Sequence, residues 1–161
     1  MSIEKARINY RRANRDDVEG LVKCRVRFLN ELYNHSDDDE TKRLRESLRE
    51  YFSRAIPRNN FIAWLAEYEG RIIGTGGMVV WKRPAKYGSL ESGRLAYLLN
   101  FYTVPEARRM GICTRLLDEI INEARLLGLK YLHLNATKDG MSIYRKVGFH
   151  ESHDKELELT L

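Results

Sequence analysis

Residues Asn100 to Leu117 read NFYTVPEARRMGICTRLL, an apolar strand pattern that runs into a loop holding Arg108, Arg109 and Gly111 and straight on into a helix. Upstream, Leu95, Tyr97, Leu98, Leu99, Phe101 and Tyr102 extend the strand over Arg94 to Val104, and Pro105 ends it. Downstream, Ile112, Leu116, Leu117, Ile120, Ile121, Ala124 and Leu127 recur at helical spacing, with Gly128 as the cap. A strand that turns directly into a helix start is phosphate-binding architecture. The first N–H groups of a helix lack intrahelical partners, the dipole places partial positive charge there, and a glycine lets the chain approach an anion closely. Ordinary strand-to-helix turns share this composition, so the loop alone does not choose between the two readings. It is neither a GxxxxGK[ST] loop nor a GxGxxG fingerprint, and Gly74, Gly76 and Gly77 have neither spacing. Those three read as easing a bulge or a close backbone contact within a strand.

Working outward, the amino-terminal side opens with a short strand over Ala6 to Arg11. Asn14, Asp16 and Asp17 then supply helix-start chemistry for a first amphipathic helix carrying Val18, Leu21, Val22, Leu29, Leu32 and Tyr33. After the polar break His35 to Asp39, a second helix is marked by Leu44, Leu48, Tyr51, Phe52, Ala55 and Ile56 and stopped by Pro57 and Asn59-Asn60. Phe61 to Tyr68 and Arg71 to Trp81, joined at Glu69-Gly70, read as a β-hairpin, and Lys82 to Gly93 as a loop. On the carboxy-terminal side come a strand over Lys130 to Asn135 and a short helix around Gly140 to Lys146. Two last strands follow, one after Gly148 and one through the alternating Leu157-Glu158-Leu159-Thr160-Leu161. Strands alternating with helices predict an α/β fold on one mixed sheet.

The 161 residues suit a single domain, expected to span 1–161. With 43% hydrophobic and 32% charged residues, the chain can build a core and is not disordered as a whole. No apolar run approaches the roughly 18 residues of a membrane span, and the charged start MSIEKARINYRR is unlike a signal peptide. A soluble, cytoplasmic protein is the expectation. Cys24 and Cys113 lie far apart with no CxxC or Cys/His spacing, so they read as free thiols, and no metal is implied. Lys and Arg number 28 against 23 Asp and Glu, a formal net charge of +5. These charges are interspersed along helical stretches with no nucleic-acid-reading motif, so no nucleic-acid partner is expected, and an anionic small molecule accounts for the balance equally well.

A second informative segment, Gly140 to Phe149, reads GMSIYRKVGF. It presents Ile143 and Val147 at one-turn spacing with Tyr144 beside them, and Gly148 releases the chain. By itself Tyr144 reads more readily as a half-buried core tyrosine than as a catalyst. The two segments together carry more. Val104-x-x-x-Arg108-x-x-Gly111, followed one helix and one strand later by Ile143-Tyr144-Arg145-Lys146-Val147-Gly148-Phe149, closely resembles the GNAT superfamily of acyl-CoA-dependent N-acetyltransferases. The motifs match over residues 98 to 150 and the order of elements over the whole chain.

That resemblance implies a mixed central sheet of about seven strands flanked by about four helices. It implies acetyl-CoA as acyl donor and an amine, on a small molecule or a peptide, as acceptor, and it leaves a homodimer open. It places the CoA pyrophosphate on Arg108, Arg109, Met110, Gly111, Ile112, Cys113 and Thr114, and the pantetheine arm along Phe101, Tyr102, Thr103 and Val104. Cys113 departs from the family pattern, standing where Gly or Ala is usual. Its sulfur fits but can crowd the phosphates or form a mixed disulfide with CoA.

The implied chemistry is direct attack of the amine on the acetyl thioester in a ternary complex. Tyr144 falls on the family's frequent general acid. An amine with a reference pKa near ~10.4 arrives as ammonium and must lose a proton, so a base is needed. His133 stands at a position like that of a catalytic glutamate in some members, and reads equally as a structural strand histidine. Glu91 is a weaker candidate. Asn100 and Asn135 can position water or pantetheine but do not titrate. An unpaired N–H near Phe101 to Thr103 is the expected donor to the oxyanion. The acidic run Asp37 to Glu40 reads as an entrance for a cationic amine or as a solvated helix start. A different reading of the same fold is a CoA-binding sensor without turnover.

Overall fold

The computed structural model describes residues 3–88, 90, 93–153 and 157–161. A 3-10 turn at Lys5–Arg7 precedes β1 (Asn9–Arg12), and a second at Arg15–Asp17 leads into α1 (Val18–Tyr33). Next come α2 (Asp39–Ala55), the hairpin β2 (Phe61–Tyr68) and β3 (Arg71–Lys82), and β4 (Arg94–Thr103). A turn at Pro105–Ala107 leads to α3 (Ile112–Leu126), β5 (Leu132–Leu134) and α4 (Met141–Lys146). The five strands lie in the order β1-β2-β3-β4-β5, antiparallel except for the parallel pair β4 and β5. This is the expected α/β mixed sheet with four helices.

Both faces of the sheet are covered. On one, α1 and α2 contribute Leu21, Val22, Val26, Phe52 and Ala55 to a core shared with Phe61, Ala63 and Leu65, on which Val79 and Leu99 pack. On the other, Leu117, Ile120 and Ala124 of α3 pack with Ile62, Met78, Ala96 and Leu98, and α4 adds Ile143, Tyr144 and Val147. Ile112, Leu116, Leu117 and Ile120 are each at most 1% exposed, and burying such side chains stabilises by roughly 1.5–3 kcal/mol apiece. That packing clamps α3 to the sheet and fixes where its amino terminus points.

The close approach of α3 explains the glycines in β3. A Cβ on Gly76 would stand 2.7 Å from the Phe101 ring and 3.1 Å from Ile120, so only glycine lets both side chains lie flat there. The expected bulge is here too. Gly77 pairs with Leu99 and Thr75 with Tyr102, so Gly76 alone faces both Asn100 and Phe101.

Two expectations are corrected. The sheet has five strands among the described residues rather than about seven, because residues 149–153 and 157–161 are not in strands. Leu157, Leu159 and Leu161 are 91%, 82% and 110% exposed, so the alternating pattern has no layer to pack against. The opening strand also starts later than expected, at Asn9, because Lys5–Arg7 form a turn.

One charged cluster ties β1, α1 and β2 together. The Arg11 guanidinium reaches Asp17 at 2.8 and 2.6 Å and Glu67 at 2.9 and 2.6 Å, and Asp17 also accepts the Asn14 backbone N–H at 2.8 Å. The Arg11 hydrogen bonds hold both carboxyls below the usual carboxylate range against the opposing effect of burial. Carboxyls depressed in the folded state stabilise it above their unfolded values near ~4, and that stabilisation is lost as pH falls through the depressed folded values. Asp17→Ala is therefore expected to lower unfolding stability by about 2 kcal/mol at pH 7, losing cap and ion pair together. In urea titrations the gap from wild type should persist to pH 5 and close as the pH drops below about 3.

Candidate functional site

The site grows out of the β4 bulge. Asn100 adopts φ 60°, the left-handed conformation that lets one strand carry an extra residue. Its carbonyl accepts the Thr75 hydroxyl at 2.8 Å, while its Oδ1 is buried without a donor. β5 pairs with β4 only at Ala96, Tyr97 and Leu98, opposite Leu132, His133 and Leu134. Past Leu98 the two strands part, and β4 from Leu99 to Thr103 has no strand beside it on that edge among the described residues. An edge with free N–H and C=O groups is ready to pair with an extended, amide-bearing ligand.

The open edge leads to the loop. Arg109 has φ 66° and Gly111 φ 82°, and between these two left-handed residues the chain swings from the Pro105–Ala107 turn into α3. Gly111 is exposed at the N-cap of α3, with no side-chain cap, so the first N–H groups of the helix stay available to an anion. Ile112 is buried beneath and Thr114 is exposed. Met110 packs on a cluster with Ala107, Val104 and Tyr102. Cys113 is half-buried, and burial pushes its thiol up to about 11, which makes it a poor nucleophile at neutral pH.

Arg108 does not point at the loop's interior. Its Nε donates to the Thr103 carbonyl at 3.0 Å, its Nη2 bonds to Glu31 on α1, and the guanidinium lies 5.8 Å from the Tyr102 ring centre. Glu31 also accepts the Tyr102 hydroxyl at 2.7 Å. Burial and the bond to Glu31 raise Tyr102 to about 12. Burial tends to raise the Glu31 carboxyl, but the Tyr102 and Arg108 bonds outweigh it and leave a net depression. Glu31 was not among the sequence candidates: it lies 77 residues from Arg108 and nothing local marks it.

Tyr144 is brought to the open edge. Its ring stands edge-on to Phe101 and to Phe149, each at 5.9 Å, and its hydroxyl makes no protein hydrogen bond among the described residues. Burial, and then proximity to Cys113, push its pKa well above the ordinary tyrosine value. His133 is exposed on β5 in register with Tyr97. Its neighbours Leu132 and Leu134 pack toward α3, so His133 faces the α1/α2 side and Tyr144 the other. Asn135 is exposed just past the end of β5. Glu91 lies outside the described residues. The acidic run works as a helix start: Asp38 caps α2 through Thr41 N at 2.9 Å, Asp37 pairs with Arg45 at 3.0 Å and Asp39 with Lys42 at 2.8 Å.

Residues 28–149 match the model of the Acetyltransferase (GNAT) family. The chain belongs to that family. The GNAT match covers both motif segments and the whole of the open edge. Over 95% of this chain and 96% of the other, the fold superposes with a TM-score of 0.85 and 33% identity on a predicted acetyltransferase from Clostridium acetobutylicum solved with acetyl-CoA. A GCN5-related N-acetyltransferase from Ralstonia eutropha shares the fold at 20% identity, TM-score 0.81, over 94% of this chain and 98% of that one. An uncharacterized N-acetyltransferase of Escherichia coli, YjgM, is 30% identical over 89 residues, 53% of this chain. The match spans about half the length of that curated relative, 49%.

The loop's shape rests on Gly111. A side chain there would meet nothing closer than the Lys5 Nζ at 3.7 Å, so the obstacle is backbone conformation rather than space. Gly111→Val is expected to cost about 1–2 kcal/mol in denaturant unfolding. Gly111→Asn should cost clearly less, since Asn tolerates the left-handed region.

Proposed function

We propose that this GNAT-family chain is an acetyl-CoA-dependent N-acetyltransferase that moves an acetyl group onto an amine in a ternary complex. One observation carries the reading: the unpaired edge of β4 runs from the α3 loop to Tyr144, so an uncapped helix start and a half-buried tyrosine border one open seam. Acetyl-CoA, when bound, supplies the activated acyl thioester. The N–H groups at the start of α3, from Gly111 to Thr114, hold its pyrophosphate, and the strand edge from Phe101 to Val104, where Arg108 already bonds the Thr103 carbonyl and Ile73 the Val104 N–H, offers its remaining groups to the amides of the pantetheine arm. Cys113, at the first turn of α3, is small enough to leave that approach open. Asn135, at the far lip of the seam, lines the same arm.

A backbone N–H from the unpaired β4 edge donates to the acyl oxygen as negative charge develops on it. Tyr144 keeps its proton throughout the physiological range and offers it to the departing sulfur. Burial makes Tyr144 a weaker acid than a free tyrosine. The amine enters from the α1/α2 face, where His133 is exposed and can take its proton directly or through water. The closed ion pairs of Asp37 to Asp39 favour a structural role for the acidic run over recruitment of the amine.

The test is acetyl-CoA-dependent thiol release across a panel of amines with folded wild type, Tyr144→Phe and Gly111→Trp. Wild type should release thiol with some acceptors, and Gly111→Trp should lose both CoA binding and release. Tyr144→Phe should lower kcat by about 10- to 1000-fold with the KM for acetyl-CoA little changed. Activity should rise with pH as the acceptor amine deprotonates, with no basic limb from Tyr144 below about pH 10. CoA binding without release by any amine would instead indicate a binding domain that has kept the fold and lost turnover.

A further inference from the structure

The amino-terminal turn holds a cation over the CoA loop. Lys5 heads the Lys5–Arg7 turn, and its Nζ lies 3.7 Å from where a Cβ of Gly111 would stand. The turn is anchored on both sides: Ile8 is buried in, and Ile3 packs against, the cluster that holds Ala107, Ile112 and Met110. The ammonium is thus carried by a segment fixed to the underside of the loop it overhangs.

Its electrostatic surroundings are unfavourable unless an anion is present. The start of α3 carries the positive end of the helix dipole, where a lysine is the wrong charge. Arg109 adds a second cation in the same loop. Among the described residues neither Lys5 nor Arg109 has a carboxylate within ion-pair distance. The neighbouring arginines are already engaged: Arg7 with Glu69 at 3.2 Å, Arg115 with Glu119 at 2.5 Å, and Arg108 with Glu31.

We propose that Lys5 is a phosphate-binding residue of the acyl-CoA site, resting on the reading of the loop given above. It supplies, together with Arg109, the side-chain charge that Arg108 does not, because Arg108 is committed to Glu31 and Thr103. The ligand chemistry it recognises is a phosphate of CoA, either in the pyrophosphate or at the 3′ position of the ribose.

Isothermal titration of CoA into the full chain tests this. Lys5→Ala is expected to weaken CoA binding by about tenfold and Lys5→Arg to keep it near wild type. In steady-state assays the change should appear in the KM for acetyl-CoA and leave kcat unaltered. The unfolding midpoint of Lys5→Ala without CoA should equal or exceed that of wild type, since repulsion is relieved. Dephospho-CoA separates the two sources. A loss on Lys5→Ala that persists with it assigns the pyrophosphate, and one that vanishes assigns the 3′-phosphate. Equal affinity of wild type and Lys5→Ala for CoA, or a Lys5→Arg protein as weak as Lys5→Ala, would overturn the role of Lys5 alone. A wild-type chain that does not bind CoA would overturn the reading beneath it.

Discussion

The extra residue in β4 is the constraint on which the rest of the site depends. Because Gly76 faces both Asn100 and Phe101, β4 bends away after Leu98, and β5 follows it only to Leu134. An unpaired strand edge in the middle of a sheet costs hydrogen bonds, and it persists only where the surroundings hold it. Here Thr75 binds the Asn100 carbonyl, Gly76 lets the Phe101 ring and Ile120 close over the bulge, and α3 is clamped by four fully buried side chains. Remove the bulge and β4 could pair with β5 along its length, closing the seam that the loop and Tyr144 both border.

The second constraint runs across the seam's phosphate end. Arg108, Tyr102 and Glu31 join the loop, the strand and α1 through three hydrogen bonds. The two surface-exposed charges contribute little to stability by themselves. Their effect is geometric: Arg108 turns toward an anion only by giving up its bonds to Glu31 and Thr103, and the loop takes its shape from backbone conformation at Arg109 and Gly111. Lys5 and Arg109 are the nearby cations that no carboxylate holds among the described residues, which is what the proposal above rests on.

What could be read from the sequence follows from how local each cause is. The helices over Val18–Tyr33 and Ile112–Leu126 show themselves by periodicity, and the loop by Gly111 and its flanking arginines, because neighbours in the chain determine those features. The cluster Gly74, Gly76 and Gly77 pointed to a bulge for the same reason. Glu31 and Lys5 gave no signal, since each matters through a residue 77 or about 100 positions away and any charged side chain on a helix or turn looks alike in a sequence. The final leucines misled in the opposite sense. Their alternation satisfies the strand pattern, yet a strand also needs a partner and a face to bury, and residues 157–161 have neither.

The two faces of the sheet give Tyr144 and His133 different surroundings. On the α3/α4 side Tyr144 sits against Phe101 and Phe149, in surroundings that favour its neutral form and keep its proton bound until a strong base appears beside it. On the α1/α2 side His133 is exposed. The reaction proposed above takes a proton from an incoming amine and gives one to a departing thiolate, and two sites on opposite faces would keep those transfers apart. The packing around Phe101 that surrounds Tyr144 is set in turn by the bulge at Asn100.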